Sequence, residues 1–350
     1  MTERTRTRRG CNGRRQFFKA AMAQATGWSF GVGAAALVSA TATADDRRDS
    51  GDVLRLLRPI AKSVRGSVAQ VMRDSRVVSL ATVVDRSGLL VTKRSELTND
   101  PIRVRLYDNR IYPARVAAVR RQNDLALLSV EAGIDLPPVK FESYLPAVGS
   151  FLITPGRTGR PIGIGVMGAR GRRIVPRGGL GVYLEDGAGG RARVSNVVTG
   201  SGAEAAGLIP GDLIVSIDGT DQPNSRRVRS TLRSLYPGEE VRLTVIRRPD
   251  GEVNDRRLEV AAQIRDLGIL GETENDSLVN GPRNSRISGF DRVIQHDTVL
   301  DPDECGGPLL DTQARVIGLN IARAGRVMTF ALPASLMIGE VEQMLREARG

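Results

Sequence analysis

The sequence predicts a mostly β chain of two or three domains with one α+β unit set inside it. Three observations carry this. Short β-branched runs are broken at regular intervals by turn residues. The texture changes near Arg170. Within the changed stretch lies one clear amphipathic helix. At 350 residues the chain exceeds one ordinary domain, and its 41% apolar content is enough for real cores. A charged fraction of 26% is near the globular average. These values exclude a fully disordered chain and a polytopic membrane protein. Gly 39 and Pro 17 point to many turns.

The strands follow in order. Val77–Val84 is β-branched and apolar, Asp85-Arg86-Ser87-Gly88 is turn chemistry, and Leu89–Thr92 resumes the strand. Ile102–Leu106 alternates apolar and basic residues, as a half-buried strand does. Asp108-Asn109 turns it into Ile111–Val116, and Asp124–Leu128 starts another strand. Such a series suggests a barrel or sandwich. Arg170–Arg173 and Pro176–Gly179 read as a linker. The unit beyond it, to about Ile264, has strands at Leu180–Leu184, Arg193–Val198, Leu213–Ile217 and Val241–Arg247. Its helix, Ser225–Leu235, aligns Val228, Leu232 and Leu235 on one face, with Arg226, Arg227, Arg229 and Arg233 elsewhere. Gly271–Gly289 is polar and reads as a mobile stretch. Strand texture returns at Val293, and the chain closes on a helix, Ala334–Arg346.

The first 44 residues read as an address. They hold seven basic side chains and one acid, so +6 of the formal +12 lies there. Gly13-Arg14-Arg15-Gln16-Phe17-Phe18-Lys19 resembles a twin-arginine export signal. A mildly apolar Ala20–Leu37 run follows, and Ala42-Thr43-Ala44 fits a signal-peptidase site, giving a mature start at Asp45. The alternative is an uncleaved membrane anchor. The expected location is exported, periplasmic or cell envelope. The remaining +6, spread over 306 residues, does not call for nucleic acid. Cys11 and Cys305 are the two cysteines, so no disulfide framework exists. One histidine, His296, and one mature cysteine do not fill a metal shell, so no metal and no cofactor are expected.

Three stretches carry a family resemblance. Gly179-Leu180-Gly181-Val182, Gly200–Leu208 and Gly211–Gly219 together resemble a PDZ domain. The resemblance implies a peptide-binding groove at Leu180, Gly181, Val182, Val228 and Leu232. There an edge strand accepts a peptide as an added strand and loop amides meet its carboxylate. The alternative is a groove filled by the protein's own chain. Asp303-Glu304-Cys305-Gly306-Gly307-Pro308-Leu309-Leu310 resembles the nucleophile segment of trypsin-like serine proteases of the HtrA/Deg family, with Cys305 at the serine position. Gly88–Leu97 resembles the strand entering the catalytic histidine, a position held here by Ser95. Asn123–Leu128 resembles the segment of the catalytic aspartate, Asp124, and Phe330-Ala331-Leu332-Pro333 fits the family's end. The implied fold is a trypsin-like double six-stranded β-barrel with an inserted α+β PDZ domain. The expected boundaries are 1–44 for the signal, 45–175 for the first part of the barrels, 176–264 for the PDZ domain and 265–350 for the second part. The family usually places its PDZ unit after the protease domain, so an insertion is a departure. It costs little if the ends lie close.

The larger departure is chemical. A trypsin-like hydrolase needs a nucleophile, a base within reach and a group that orients the base. Ser95 cannot accept a proton at neutral pH, and Lys93 and Arg94 are cations and poor bases. Losing the base removes roughly 10²–10⁴-fold of rate. The leading expectation is therefore a pseudoprotease whose PDZ groove binds peptide C-termini or unfolded segments, in quality control or sensing. One alternative is an active endopeptidase using Cys305, with His296 as an unconventional base and the 303–305 amides as an oxyanion hole. In the plainer reading of those two residues, His296 is a hydrogen-bonded strand histidine and Cys305 a small buried residue. A third reading is a structural envelope docking protein. A homo-oligomer remains open, although Gly51–Met72 lacks an aromatic clamp for a trimer.

Overall fold

The computed structural model describes residues 50–97, 101–131, 133, 135–248 and 255–350. The export signal, Cys11 and the start at Asp45 lie outside the described residues.

A helix, α1 (Gly51–Ser63), opens the described chain, capped by the Ser50 hydroxyl on the Val53 N–H. Its Leu57 and Ile60 pack on Leu80, Ile153 and Val316. Six strands follow: β1 (Val68–Arg73), β2 (Arg76–Asp85), β3 (Leu89–Lys93), β4 (Ile102–Arg105), β5 (Ile111–Arg120) and β6 (Leu125–Val130). They close into one barrel in the order β1-β2-β3-β6-β5-β4. Alternation drives this, because every second residue turns inward. Val71, Val83, Leu90, Val104 and Leu128 fill the interior.

The second barrel begins with β7 (Phe151–Pro155) and β8 (Pro161–Ile174). Arg170–Arg173 is therefore strand, not linker. Its exposed arginines hide a ladder position, Arg172 opposite Val293, and the Arg172 guanidinium donates to Gln295 Oε1 and lies over Phe330.

The chain then leaves the barrel through β9 (Gly178–Gly179) and builds a separate sheet. Its elements are β10 (Val182–Asp186), β11 (Ala192–Val197), α2 (Gly202–Ala205), β12 (Leu213–Ile217), β13 (Thr220–Asp221), α3 (Ser225–Ser234), β14 (Glu240–Arg247) and β15 (Arg256–Gln263). The main sheet order is β10-β11-β12-β14-β15, which leaves β10 on an edge. This unit has its own core, including Leu180, Val194, Ile214, Val228, Val245 and Ile264. It returns through β16 (Arg265–Asp266), which pairs with β9.

Two short helices follow, α4 (Leu267–Leu270) and α5 (Glu274–Asn280), before β17 (Phe290–His296), β18 (Pro308–Asp311), β19 (Val316–Gly325) and β20 (Met328–Pro333). β17 pairs with β8, and the second barrel closes as β17-β20-β19-β18-β7-β8. The fold is thus a mostly β, trypsin-like pair of six-stranded barrels with a PDZ domain inserted between adjacent strands of the second. The terminal α6 (Ala334–Arg349) places Met337, Val341 and Met344 on the seam between barrels. They meet Leu125 and Leu127 from one side and Phe290, Leu319 and Phe330 from the other.

The stretch expected to be mobile, Gly271–Gly289, is structured among the described residues. Thr273 and Asp276 form a reciprocal capping box that starts α5. Beyond it Asn284, Arg286 and Ser288 are fully or almost fully buried. Their polarity serves hydrogen bonding inside the protein rather than solvation, and composition alone does not separate the two.

Candidate functional site

Of the positions that the resemblance singles out, Ser95 and Asp124 are in direct contact. β3 delivers Lys93 and then Ser95, and the turn before β6 delivers Asp124, whose φ of 58° turns its backbone sharply. Asp124 is wholly buried and its carboxylate gathers several donors. Lys93 Nζ lies 2.6 Å from Oδ2, the Ser95 hydroxyl donates to Oδ2 at 2.8 Å, and the Ser95 N–H donates to Oδ1 at 2.9 Å. Lys93 is equally buried and also donates to the Arg286 carbonyl at 3.3 Å. The partner of the carboxylate is thus an ammonium group in the wall of the site. Ser95 is bound to the same oxygen and offers no proton acceptor of useful strength.

Arg286 holds this arrangement from behind. Its Nε donates to Ser288 O, Nη1 to Arg121 O at 2.5 Å, and Nη2 to Gln122 O and Gly289 O. Nη1 also lies 3.8 Å from Asp124 Oδ1. The guanidinium stacks 4.6 Å from the Tyr236 ring centroid and 5.2 Å from that of Phe290. Burial pulls its pKa down, with the Asp124 charge opposing. Planar geometry and five donors suit arginine to such a buried, multiply bonded position.

Cys305 sits in the turn entering β18 and has no exposed surface. Burial pushes its thiol up to about 12, and the nearby Lys93 charge only partly offsets this. At neutral pH it is a protonated thiol, the unreactive form. The segment after α5 braces the turn before it. Asn284 Nδ2 donates to Glu96 Oε1 and to Pro302 O, both at 3.0 Å, while Asn284 Oδ1 accepts from the Arg323 N–H at 2.7 Å. Two of the amides expected to form an oxyanion hole, those of Glu304 and Cys305, are bonded to the chain itself. Asp303 and Glu304 lie in a 3₁₀ turn, Pro302–Glu304, in which the Glu304 N–H donates to Asp301 O and the Cys305 N–H to Pro302 O. An oxyanion hole needs those N–H groups aimed at the substrate. A cavity of about 310 Å³ lies alongside, lined by Leu80, Arg157, Ile162, Asp303 and Glu304 among others, and Cys305 is not in its wall.

His296 is not placed to serve Cys305. Its Nε2 meets Asn320 Oδ1 at 2.9 Å and its Nδ1 meets Thr298 Oγ1 at 2.8 Å. The Asn320 amide nitrogen faces the Pro308 carbonyl, so its oxygen faces the ring and Nε2 carries the proton. Both nitrogens are therefore committed. Burial lowers the pKa to about 4, with the Asn320 bond opposing. Among the described residues no group of three His, Cys, Asp or Glu side chains converges on a metal-sized space.

The second feature is a groove of about 280 Å³ between β10 and α3. Leu180, Gly181, Val182 and Leu232 line it. Val228 does not. It is fully buried in the core beneath, because the helix face that meets the sheet is one step round from the face that meets the groove. Arg229 and Arg233 stand there instead. Among the described residues the Leu180 and Gly181 N–H groups have no backbone acceptor. Leu267 and Leu270 of α4 join the wall beside this loop, so the protein's own chain covers part of the groove's end.

Sequence reasoning treated Lys93 only as a poor base and missed Arg286, Asn284 and Asn320. A lysine on an otherwise apolar strand was the available signal for Lys93. Nothing local marked the other three.

Residues 163–263 match the PDZ domain family (PDZ_2). The chain is also similar to "Probable periplasmic serine endoprotease DegP-like" of Hahella chejuensis (strain KCTC 2396). The two are 26% identical over 270 residues, covering 53% of this chain and 56% of that protein. The chain therefore spans little more than half the length of the relative it matches.

Two outcomes follow from this geometry. Lys93→Met and Asp124→Asn should each destabilise the protein by about 3–5 kcal/mol, since each strands a buried charge or polar group. The double variant should cost much less than the sum in denaturant unfolding. The His296 pKa is lower folded than unfolded, so between pH 6.5 and about 4 the unfolded chain binds the extra proton. Its contribution is fully present above pH 6.5 and fades on acidification towards 4, amounting to about 3 kcal/mol. His296→Gln should flatten that part of the stability–pH curve relative to the parent.

Proposed function

Starting from an HtrA/Deg-like protein that carries a PDZ domain, we propose that this chain is an exported peptide-binding protein that has given up proteolysis. Its PDZ groove takes peptide C-termini or unfolded segments, in protein quality control or sensing. The observation that carries the reading is the Lys93–Asp124 pair. The carboxylate that would orient a catalytic base is bonded to a buried ammonium 2.6 Å away and to the Ser95 hydroxyl. The buried thiol and the Cys305 amide bonded to the chain itself support it independently. Peptide capture is supported by the edge position of β10 and by the apolar groove beside it. The relative's printed name places that protein in the periplasm. Export of this chain rests on that likeness and on the Arg14-Arg15 segment.

The protein from residue 45 onward, incubated with unfolded casein between about pH 6 and 9, a range chosen to cover ordinary catalytic pKa values, should show no cleavage above that of Cys305→Ala. Cleavage that vanishes in Cys305→Ala would overturn the reading and make the chain a cysteine-dependent endopeptidase.

A further inference from the structure

The groove changes character along its length. Near the loop its walls are apolar: Leu180, Val182, Leu232, Leu267 and Leu270. Along α3 it becomes cationic. Arg229 and Arg233 line both this groove and an adjoining depression of about 580 Å³, whose wall also includes Arg226. Asp186 is the one acid in that wall, and it is already engaged, accepting from the Ser225 N–H at 3.0 Å. Among the described residues Arg226 and Arg233 have no carboxylate within ion-pair distance. Arg229 reaches across the groove, where its Nη2 donates to the Leu184 carbonyl at 3.1 Å and to Ser225 Oγ at 2.7 Å.

That crossing fixes which peptide position matters. β10 is an edge strand, and the Leu184 carbonyl faces α3 rather than β11. A strand added antiparallel to β10, its carboxylate on the Leu180 and Gly181 amides, sets its last residue beside Val182. With the two-residue strand period, its third-last residue lies beside Leu184. The peptide N–H there would take the Leu184 carbonyl now held by Arg229. The displaced guanidinium then needs a new acceptor, and a carboxylate is the acceptor it binds most strongly.

We propose that the groove selects peptide C-termini bearing an acidic side chain at the third-last residue, with Arg229 as the specificity-determining cation. Arg226, one turn nearer the end of α3 that meets Asp186, extends the preference to acidic residues further upstream. A neutral side chain at that position offers Arg229 no charged acceptor in place of the Leu184 carbonyl, and a basic one meets its like charge. The inference rests on the reading of the groove as a C-terminal peptide site.

The test uses fluorescein-labelled peptides ending in one common apolar residue, with Glu, Gln or Lys third from the end. Binding to the protein from residue 45 onward is followed by anisotropy. The Glu peptide should bind about tenfold tighter than the Gln peptide, the value of one charge-assisted hydrogen bond, and the Lys peptide weakest. In Arg229→Gln the advantage of Glu over Gln should disappear while the Gln peptide still binds at a measurable affinity, which also reports an intact groove. Equal affinities for all three peptides, or a Glu preference that survives in Arg229→Gln, would overturn the acidic selectivity and leave the groove reading standing. Binding by none of them, or equal binding when their C-termini are amidated, would overturn the groove reading itself.

Discussion

A buried cluster of three charged side chains governs this structure. Lys93, Asp124 and Arg286 have no exposed surface, and between them they draw on both barrels and on the inserted domain. Asp124 supplies one negative charge to two cations. The excess is tolerated because Arg286 spreads its positive charge over four carbonyl oxygens and two aromatic faces. Taking such charges out of water is costly and is recovered only with near-complete hydrogen bonding. That requirement fixes the turn at Arg121–Asp124, the strand end at Lys93–Ser95 and the segment Arg286–Gly289 relative to each other.

The inserted domain is bound into this arrangement. Its stem is the β9–β16 pair, a separate two-stranded sheet tied to the barrel where the Arg177 N–H donates to Ser288 Oγ. Its Tyr236 stacks on Arg286, Glu239 faces Arg121 at 3.4 Å, and Gly238 lies against Ser95. The segment leaving it supplies Leu267 and Leu270 to the groove and then Asn284, bonded to the Pro302 carbonyl in the turn before Cys305. One stretch of chain therefore runs from the groove to the Pro302–Cys305 turn. This is a short physical path between the two sites, made of packed and hydrogen-bonded residues.

Much of this was legible in the sequence. Strand alternation and turn residues marked β2 to β6 closely, and the helix at Ser225 was visible from the spacing of its apolar residues. The motif stretches placed Ser95, Asp124 and Cys305 at related positions, and the structure brings Ser95 into direct contact with Asp124. What escaped has a common physical origin. Arg172, Arg286 and Asn284 are polar residues whose partners lie far along the chain: the strand Arg170–Arg173 passed for a linker, and the buried segment around Arg286 for mobile chain. Local pattern reports exposure to water or periodicity, and neither reveals a buried polar group satisfied by distant carbonyls. Val228 failed for a smaller reason. On α3 the core-facing and groove-facing residues are neighbours, and spacing alone does not say which row faces which.

The account turns on a site closed to solvent with its thiol protonated, and Cys305 is the only cysteine after residue 11. The most direct measurement is the alkylation rate of that thiol in the native protein from residue 45 onward, across neutral to mildly alkaline pH. The account predicts labelling limited by opening of the structure, slow at neutral pH and fast only once denaturant unfolds the chain. Rapid labelling of the folded protein at neutral pH would reveal an accessible thiolate and contradict it.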